Sequence, residues 1–244
     1  MANTLPVALI TGGAIRVGKA ITQRLWSAGY DVAFTYMHSR KEAIALQQQL
    51  DPQGPRALAI KADLNHPERA VNAIAKTIRS HFGRLDVLVN NASIYQPARL
   101  GKTRVKLIEQ LMHLHVQVPL LLCQKFEKML RKNHGHVVNM IDLLAERPWP
   151  QFLAYCASKA ALGNLTLGLA RELAPQVTVN GIAPGVVQWP DDYPKQEREK
   201  YLQRVPLARS GTPEDVAELV HYLVTGGSYI TGQIIRLDGG RSIT

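Results

Sequence analysis

Tyr155 and Lys159 stand four residues apart in Tyr155-Cys156-Ala157-Ser158-Lys159, and Asp142 precedes them by thirteen residues. On a helix, positions i and i+4 share one face. An ammonium beside a phenol favours the phenolate, making the tyrosine a usable proton donor or acceptor near neutral pH. The same spacing also arises by chance in a solvated surface pair. Order along the chain favours an active site, because a glycine-rich turn and Asn90-Asn91-Ala92 both precede the pair, each after an apolar run.

The glycine-rich turn is Thr11-Gly12-Gly13-Ala14-Ile15-Arg16-Val17-Gly18, between the first apolar run and the first helical pattern. Glycines allow a tight turn and close backbone approach, and a helix N-terminus offers free N–H groups to a pyrophosphate. An NAD site of this kind places a carboxylate after the second strand to hold the ribose hydroxyls. Here that stretch is Phe34-Thr35-Tyr36-Met37-His38-Ser39-Arg40-Lys41, with hydroxyl and cationic groups and no carboxylate. It suits a 2′-phosphate, with Arg16 in reach, so the expected cofactor is NADPH. The plainer reading of Arg40 and Lys41 is the start of a solvated helix. Asp63, after the third strand, has two candidate roles, the adenine edge or a helix N-cap. Tyr95 could stack on a flat heterocycle or simply pack.

These residues need a scaffold that brings strand ends to one crevice, and the pattern supplies it. Strands are expected at residues 6–10, 32–36, 57–61, 85–89, 136–141, 177–182 and 234–237. Helices are expected at 17–29, 41–50 and 68–82, with a long helical segment over 103–131 and another carrying Tyr155. Short, wholly apolar strands alternating with amphipathic helices indicate an α/β fold, a parallel sheet covered on both faces. No repeat or linker divides residues 1–244, so one domain is expected. Residues 185–210, rich in Pro, Asp and Lys, interrupt the alternation where a substrate lid would sit.

Bulk properties narrow the class. The 244 residues suffice for one full core. No run approaches a membrane span and no signal peptide is apparent, so no membrane association and a cytoplasmic location are expected. Cys123 and Cys156 have no metal-ligand spacing, so no metal site is expected. The net charge of +10 draws on Lys125, Lys128, Arg131 and Lys132, and on Lys195, Arg198 and Lys200. These clusters read first as solvated helix faces and second as an attraction for small anions. With no helix-turn-helix, zinc or RNA-binding signature and no interleaved aromatics, no nucleic-acid partner is expected.

Along nearly its full length the chain resembles a short-chain dehydrogenase/reductase. The matching pieces are Thr11 to Gly18, Asn90 to Ala92, Tyr155 to Lys159, Asn180 to Gly185 and Asp238-Gly239-Gly240. Three details resemble the pteridine reductase branch, including bacterial dihydromonapterin reductases. Arg16 replaces a glycine common in the superfamily, Tyr95 falls at that branch's stacking aromatic, and Asp142 stands where the superfamily places a catalytic serine. A carboxylate can relay a proton toward a ring nitrogen, which suits C=N reduction; the alternative for Asp142 is a turn cap after the fifth strand.

The resemblance implies a single Rossmann-type doubly wound domain with a seven-stranded parallel sheet. It implies Asp142, Tyr155 and Lys159 as catalytic residues, with Lys159 also on the nicotinamide ribose. It implies that Thr11, Gly12, Ile15, Arg16, Tyr36, His38, Ser39, Asp63 and Leu64 hold NADPH. Asn91, Ala92, Ser93, Pro184, Gly185 and Val187 would hold its nicotinamide end, and Arg16, Ser93, Tyr95, Asp142 and Tyr155 the pterin. A homotetramer joined through the long helical segment and the Tyr155 helix is implied as well. His115 departs from an asparagine that holds a water in the family; it could hold that water, shuttle a proton, or be a satisfied core residue. Val186 and Val187 replace a hydroxyl residue near the nicotinamide, leaving backbone contact there. The expected function is reduction of a pteridine, a 7,8-dihydropterin of the dihydromonapterin or dihydrobiopterin type or dihydrofolate, to the tetrahydro form. The rivals are a 3-oxoacyl-carrier-protein reductase and a non-catalytic NADP-sensing protein.

Overall fold

In a computed structural model of the chain, residues 5–190 and 193–244 are described; residues 1–4 and Asp191 and Asp192 of the expected substrate loop lie outside them. Seven strands form one parallel sheet in the order β3-β2-β1-β4-β5-β6-β7. They are β1 (Val7–Ile10), β2 (Asp31–Tyr36), β3 (Ala57–Lys61), β4 (Val87–Asn90), β5 (His136–Met140), β6 (Thr178–Pro184) and β7 (Ile234–Leu237). The α/β architecture expected from the alternation is what the chain forms.

Both faces of the sheet are covered, which explains why the strands are largely apolar instead of alternating. In β1, Val7 and Leu9 enter one core and Ala8 and Ile10 the other, as a period of two requires. The first core is closed by α3 (Pro67–His81), α5 (Val118–Lys132) and α6 (Leu153–Leu173), through Ile74, Ile78, Phe126 and Leu169. The second is closed by α1 (Arg16–Ser27), α2 (Arg40–Leu50) and α8 (Pro213–Thr225), through Ile21, Leu25, Leu46 and Val220. Strand order reverses between β1 and β4, so the connections after these two strands diverge and leave a crevice at their carboxyl ends.

Two elements refine the expected pattern. The long helical segment is α4 (Val105–Met112) and α5 joined by a π turn, His113–Gln117. Such a turn adds a residue to the helix and re-aims side chains, frequently at functional sites; His115, in its middle, is 1% exposed. The stretch at 185–210 is not wholly irregular, because α7 (Lys195–Leu202) lies inside it. Its residues are largely polar and none is buried, so its sequence carries no apolar stripe to announce a helix.

Candidate active site

The segments that leave the carboxyl ends of the strands line one cleft of about 1220 Å³. That exceeds the roughly 300–1,000 Å³ of ordinary small-ligand pockets, giving room for two molecules side by side. At one end lies the glycine-rich turn. Gly12 N–H donates to Thr35 Oγ1 at 3.0 Å, and Gly13 N–H donates to the Thr35 carbonyl at 3.1 Å. A Cβ on Gly18 would stand 2.1 Å from the Gly12 oxygen, so only glycine fits. The first turn of α1 has no side-chain cap and no acidic residue, which leaves its N–H groups and the positive end of the helix dipole for an anion. Arg16 opens that helix at φ 51°, a left-handed conformation that costs a non-glycine residue about 1–2 kcal/mol.

Gly12, Ile15 and Arg16 line the cleft, as do Tyr36 at the end of β2 and His38 and Ser39 beyond it. No carboxylate from the β2 end joins them. Arg40 and Lys41 are exposed at the start of α2, outside the lining, where the solvated-helix reading puts them. Thr11 lies behind the wall at 2% exposure. Its Oγ1 accepts from Asn91 N at 2.9 Å and Ala92 N at 3.0 Å, while Asn91 Nδ2 donates to the Thr11 and Gly12 carbonyls at 2.9 and 3.1 Å. Thr11 therefore staples the glycine turn to the end of β4, and Asn91 and Ala92 present the surface. Asp63 does not cap α3. Its Oδ1 accepts from Asn65 N at 3.0 Å and Asn65 Nδ2 at 3.1 Å, the N-cap of α3 is His66, and Leu64 and Asn65 reach the cleft instead. Pro184 ends β6 outside the lining, whereas Gly185, Val186 and Val187 line it.

Beside this end sit the titratable groups. Tyr155 Oη donates to Asp142 Oδ2 at 2.7 Å, and Asp142 Oδ1 accepts from Leu144 N at 2.8 Å. Asp142 thus caps a single turn and holds the tyrosine with the same carboxylate. Burial pushes the Asp142 carboxyl above its usual range, opposed by the Leu144 amide, the tyrosine and Lys159. Burial and then Asp142 raise Tyr155 well above its ordinary value, against a smaller opposing effect of Ser93. This corrects the expectation that Lys159 makes the phenol acidic. Lys159 is 2% exposed, donates to the Met140 carbonyl at 2.7 Å, and lies 5.8 Å from the Tyr155 ring centroid. Burial draws its pKa down to about 8, with Asp142 opposing. It supports the tyrosine from beneath and does not line the cleft.

His115 anchors the opposite side. Ser158 Oγ donates its single proton to the Tyr155 carbonyl at 2.7 Å, so it accepts from His115 Nδ1–H at 2.8 Å. In a neutral imidazole Nε2 is then an acceptor, and Ser93 Oγ donates to it at 2.8 Å. Burial and the nearby Lys159 lower His115 to about 2, which keeps it neutral. The Ser93 hydroxyl is therefore oriented by His115, beside Tyr155. Tyr95 packs as its plainer reading has it, stacked on Phe152 at 4.4 Å and 14°, and remains 50% exposed on the cleft.

The far end of the cleft holds residues that the sequence did not single out. Trp149 follows β5, and Trp189, Tyr193 and Tyr201 follow β6. Tyr201 joins them edge-on, 6.2 Å from Trp149 and 5.3 Å from Trp189, and its Oη accepts from Val186 N at 3.3 Å. The signal available was the rule that loops beyond strand ends open on one crevice; two of the chain's three tryptophans fall in such loops. The lining also includes Arg147, Arg204 and Arg241. Among the described residues no cluster of His, Cys, Asp and Glu could hold a metal, and no helix is long and apolar enough to cross a membrane.

Comparison with known proteins adds to this geometry. The family described as enoyl-(acyl carrier protein) reductase matches residues 13–242. Pteridine reductase 1 of Leishmania tarentolae is 33% identical, over 99% of this chain and 98% of its own. A 3-oxoacyl-[acyl-carrier-protein] reductase of Staphylococcus aureus (strain Mu50 / ATCC 700699) is 34% identical, over 96% of each. Among solved structures, a blue fluorescent protein from a metagenomic library, in complex with NADPH, superposes with a TM-score of 0.91 at 34% identity, over 98% of both chains.

Proposed function

The chain belongs to the short-chain dehydrogenase/reductase family, and within it we propose an NADPH-dependent reduction of a 7,8-dihydropterin to the tetrahydro form. The observation that carries this reading is the 2.7 Å hydrogen bond between Tyr155 and Asp142. Reducing a C=N bond needs hydride at carbon and a proton at nitrogen. A serine at position 142 could only hydrogen-bond a carbonyl. A buried carboxyl whose proton affinity is raised can hold that proton and pass it on.

NADPH supplies the hydride, to ring carbon C6, when bound. The glycine turn and the uncapped start of α1 fit its pyrophosphate, and the stretch from Tyr36 to Ser39, free of carboxylates, fits a 2′-phosphate. Tyr155 Oη delivers the proton to ring nitrogen N5 and is reprotonated from Asp142. Lys159, with one of its three donors on Met140, steadies the tyrosine from beneath, and its remaining donors would reach the nicotinamide ribose only through the cleft wall beside Tyr155. Ser93, oriented by His115, accepts a hydrogen bond from the pterin. Tyr95 stacks on the ring, and Arg16 spans cofactor phosphate and pterin. In the assembled state the chain is read as a cytoplasmic homotetramer. Supporting that, α4, α5 and α6 expose Val105, Ile108, Leu120 and Leu167, apolar side chains of the kind that subunit contacts cover.

Replacement of Asp142 tests the reading. Asp142→Ser is expected to depress dihydropterin turnover while sparing or raising reduction of a ketone such as an acetoacetyl thioester. The opposite pattern would favour the second reading, a 3-oxoacyl thioester reductase. That alternative rests on the equal likeness to such an enzyme and on a basic surface suited to an acidic carrier.

A further inference from the structure

Three arginines at the far end of the cleft have no carboxylate partner among the described residues. Arg147 follows β5, Arg204 follows α7 and Arg241 follows β7, yet all three line the cleft. They converge on the turn Arg241–Ile243. Arg147 Nη2 donates to the Ser242 carbonyl at 2.7 Å, and Thr244 Oγ1 donates to the Arg204 carbonyl at 2.7 Å. Asp238 fixes the turn by accepting from Gly240 N at 2.9 Å and Ser242 N at 2.7 Å. Glu146, the carboxylate nearest in sequence, is held by Arg236. Arg241 Nε is buried without a hydrogen-bond acceptor, and the Arg241 guanidinium lies 5.6 Å from the Tyr201 ring centroid. A buried charged donor left unpaired is destabilising, so its retention needs a reason. The Trp149–Tyr201–Trp189 wall runs alongside these arginines, in the same cleft as Tyr155.

We propose that Arg147, Arg204 and Arg241 form a subsite for an anionic group, phosphate or carboxylate, at the end of the substrate's side chain. This rests on the pteridine reading and adds to it a preference for pterins whose substituent carries such a charge. A neutral ring flanked by aromatics requires no cation, whereas planar guanidinium forks match the oxygens of phosphate and carboxylate. The proposal also separates this end from the cofactor end, where Arg16 stands alone on the rim.

The test uses a matched pair, 7,8-dihydroneopterin and its 3′-phosphate, with 7,8-dihydrofolate as the carboxylate probe. Kd is measured by calorimetry on NADP+-loaded protein and KM by NADPH oxidation. The phosphate ester is expected to bind at least about tenfold more tightly than the neutral compound, the ratio one charge-assisted hydrogen bond supports. Added salt and either Arg241→Ala or Arg204→Ala should shrink the gap. The same arginine dependence with dihydrofolate would extend the subsite to carboxylates; dependence with the ester alone would assign it to phosphate. Equal Kd values, or a gap that survives both substitutions, would overturn the subsite. Binding without turnover of any of the three compounds would sink the pteridine reading and leave the Kd ratio to decide the subsite. Failure of all three to bind would overturn both.

Discussion

At the end of the cleft proposed for the cofactor the wall is mostly backbone, pinned by Thr11, Thr22, Thr35 and Asn91 between β1, β2 and β4. At the end proposed for the substrate the wall is side chain: Trp149, Trp189, Tyr193 and Tyr201, with three arginines, carried on segments after β5, β6, α7 and β7. A dinucleotide's phosphates can be recognised by N–H groups that every residue type carries, provided the turn is tight enough. A substrate is selected by side-chain chemistry, which can change without disturbing the sheet. Tyr155, Asp142 and Ser93 lie where the two regimes meet, and hydrogen bonds between elements fix them, Tyr155 to Asp142 and Ser93 to His115.

The sharpest break falls at that junction. Tyr155→Phe is expected to lower kcat by about 10²- to 10⁴-fold, the usual worth of a positioned general acid. NADPH affinity measured by fluorescence titration should stay near the parent value. Retained turnover would remove the tyrosine from the proton path.

Next in size, Gly18→Ala attacks the backbone end alone. The added methyl meets the Gly12 oxygen at 2.1 Å, and such overpacking typically costs about 1–3 kcal/mol. NADPH affinity and Tm should both fall; normal values for both would mean that the turn is less constrained than its geometry indicates.

Asp142→Asn should pull function and stability in opposite directions. The folded carboxyl holds its proton to higher pH than the unfolded one. Its burial therefore costs nothing below the unfolded carboxylate range, and stability is lost as pH rises through the raised folded pKa. Above that range the asparagine variant should melt at a higher temperature than the parent, and at acid pH the two should converge. The parent's kcat should decline as pH rises through the same value, a limb missing from the variant's residual activity. A lower Tm across the whole range would show that the carboxylate is structural first.

The smallest effect is expected at His115. Substitution by asparagine should raise the pterin KM about fivefold, since one hydrogen bond contributes about 0.5–1.5 kcal/mol, with no change in the shape of the pH–rate profile because the imidazole stays neutral. A lost limb in that profile would make His115 a titrating shuttle.

The same division governs what could be read from the chain beforehand. The central strands were legible because burial on both faces favours short, largely apolar runs, and the glycine turn was legible because Gly12 and Gly18 answer to local sterics. Tyr155, Lys159 and Asp142 were found from spacing and order. Their mutual electrostatics were not, because the rise in the Tyr155 pKa comes from burial and a carboxylate that the fold brings to 2.7 Å. The π turn left no mark on the helical periodicity around His115. Arg147, Arg204 and Arg241 lie up to ninety-four positions apart in the chain, and only the parallel order of β5, β6 and β7 brings them together.

The most direct measurement is the loss of NADPH absorbance with purified protein and 7,8-dihydromonapterin, run beside 7,8-dihydrobiopterin, dihydrofolate and an acetoacetyl thioester. Rapid turnover of a dihydropterin with little on the thioester is the predicted result. Turnover confined to the thioester would contradict the account and make the Tyr155–Asp142 pair a variant ketone-reducing site.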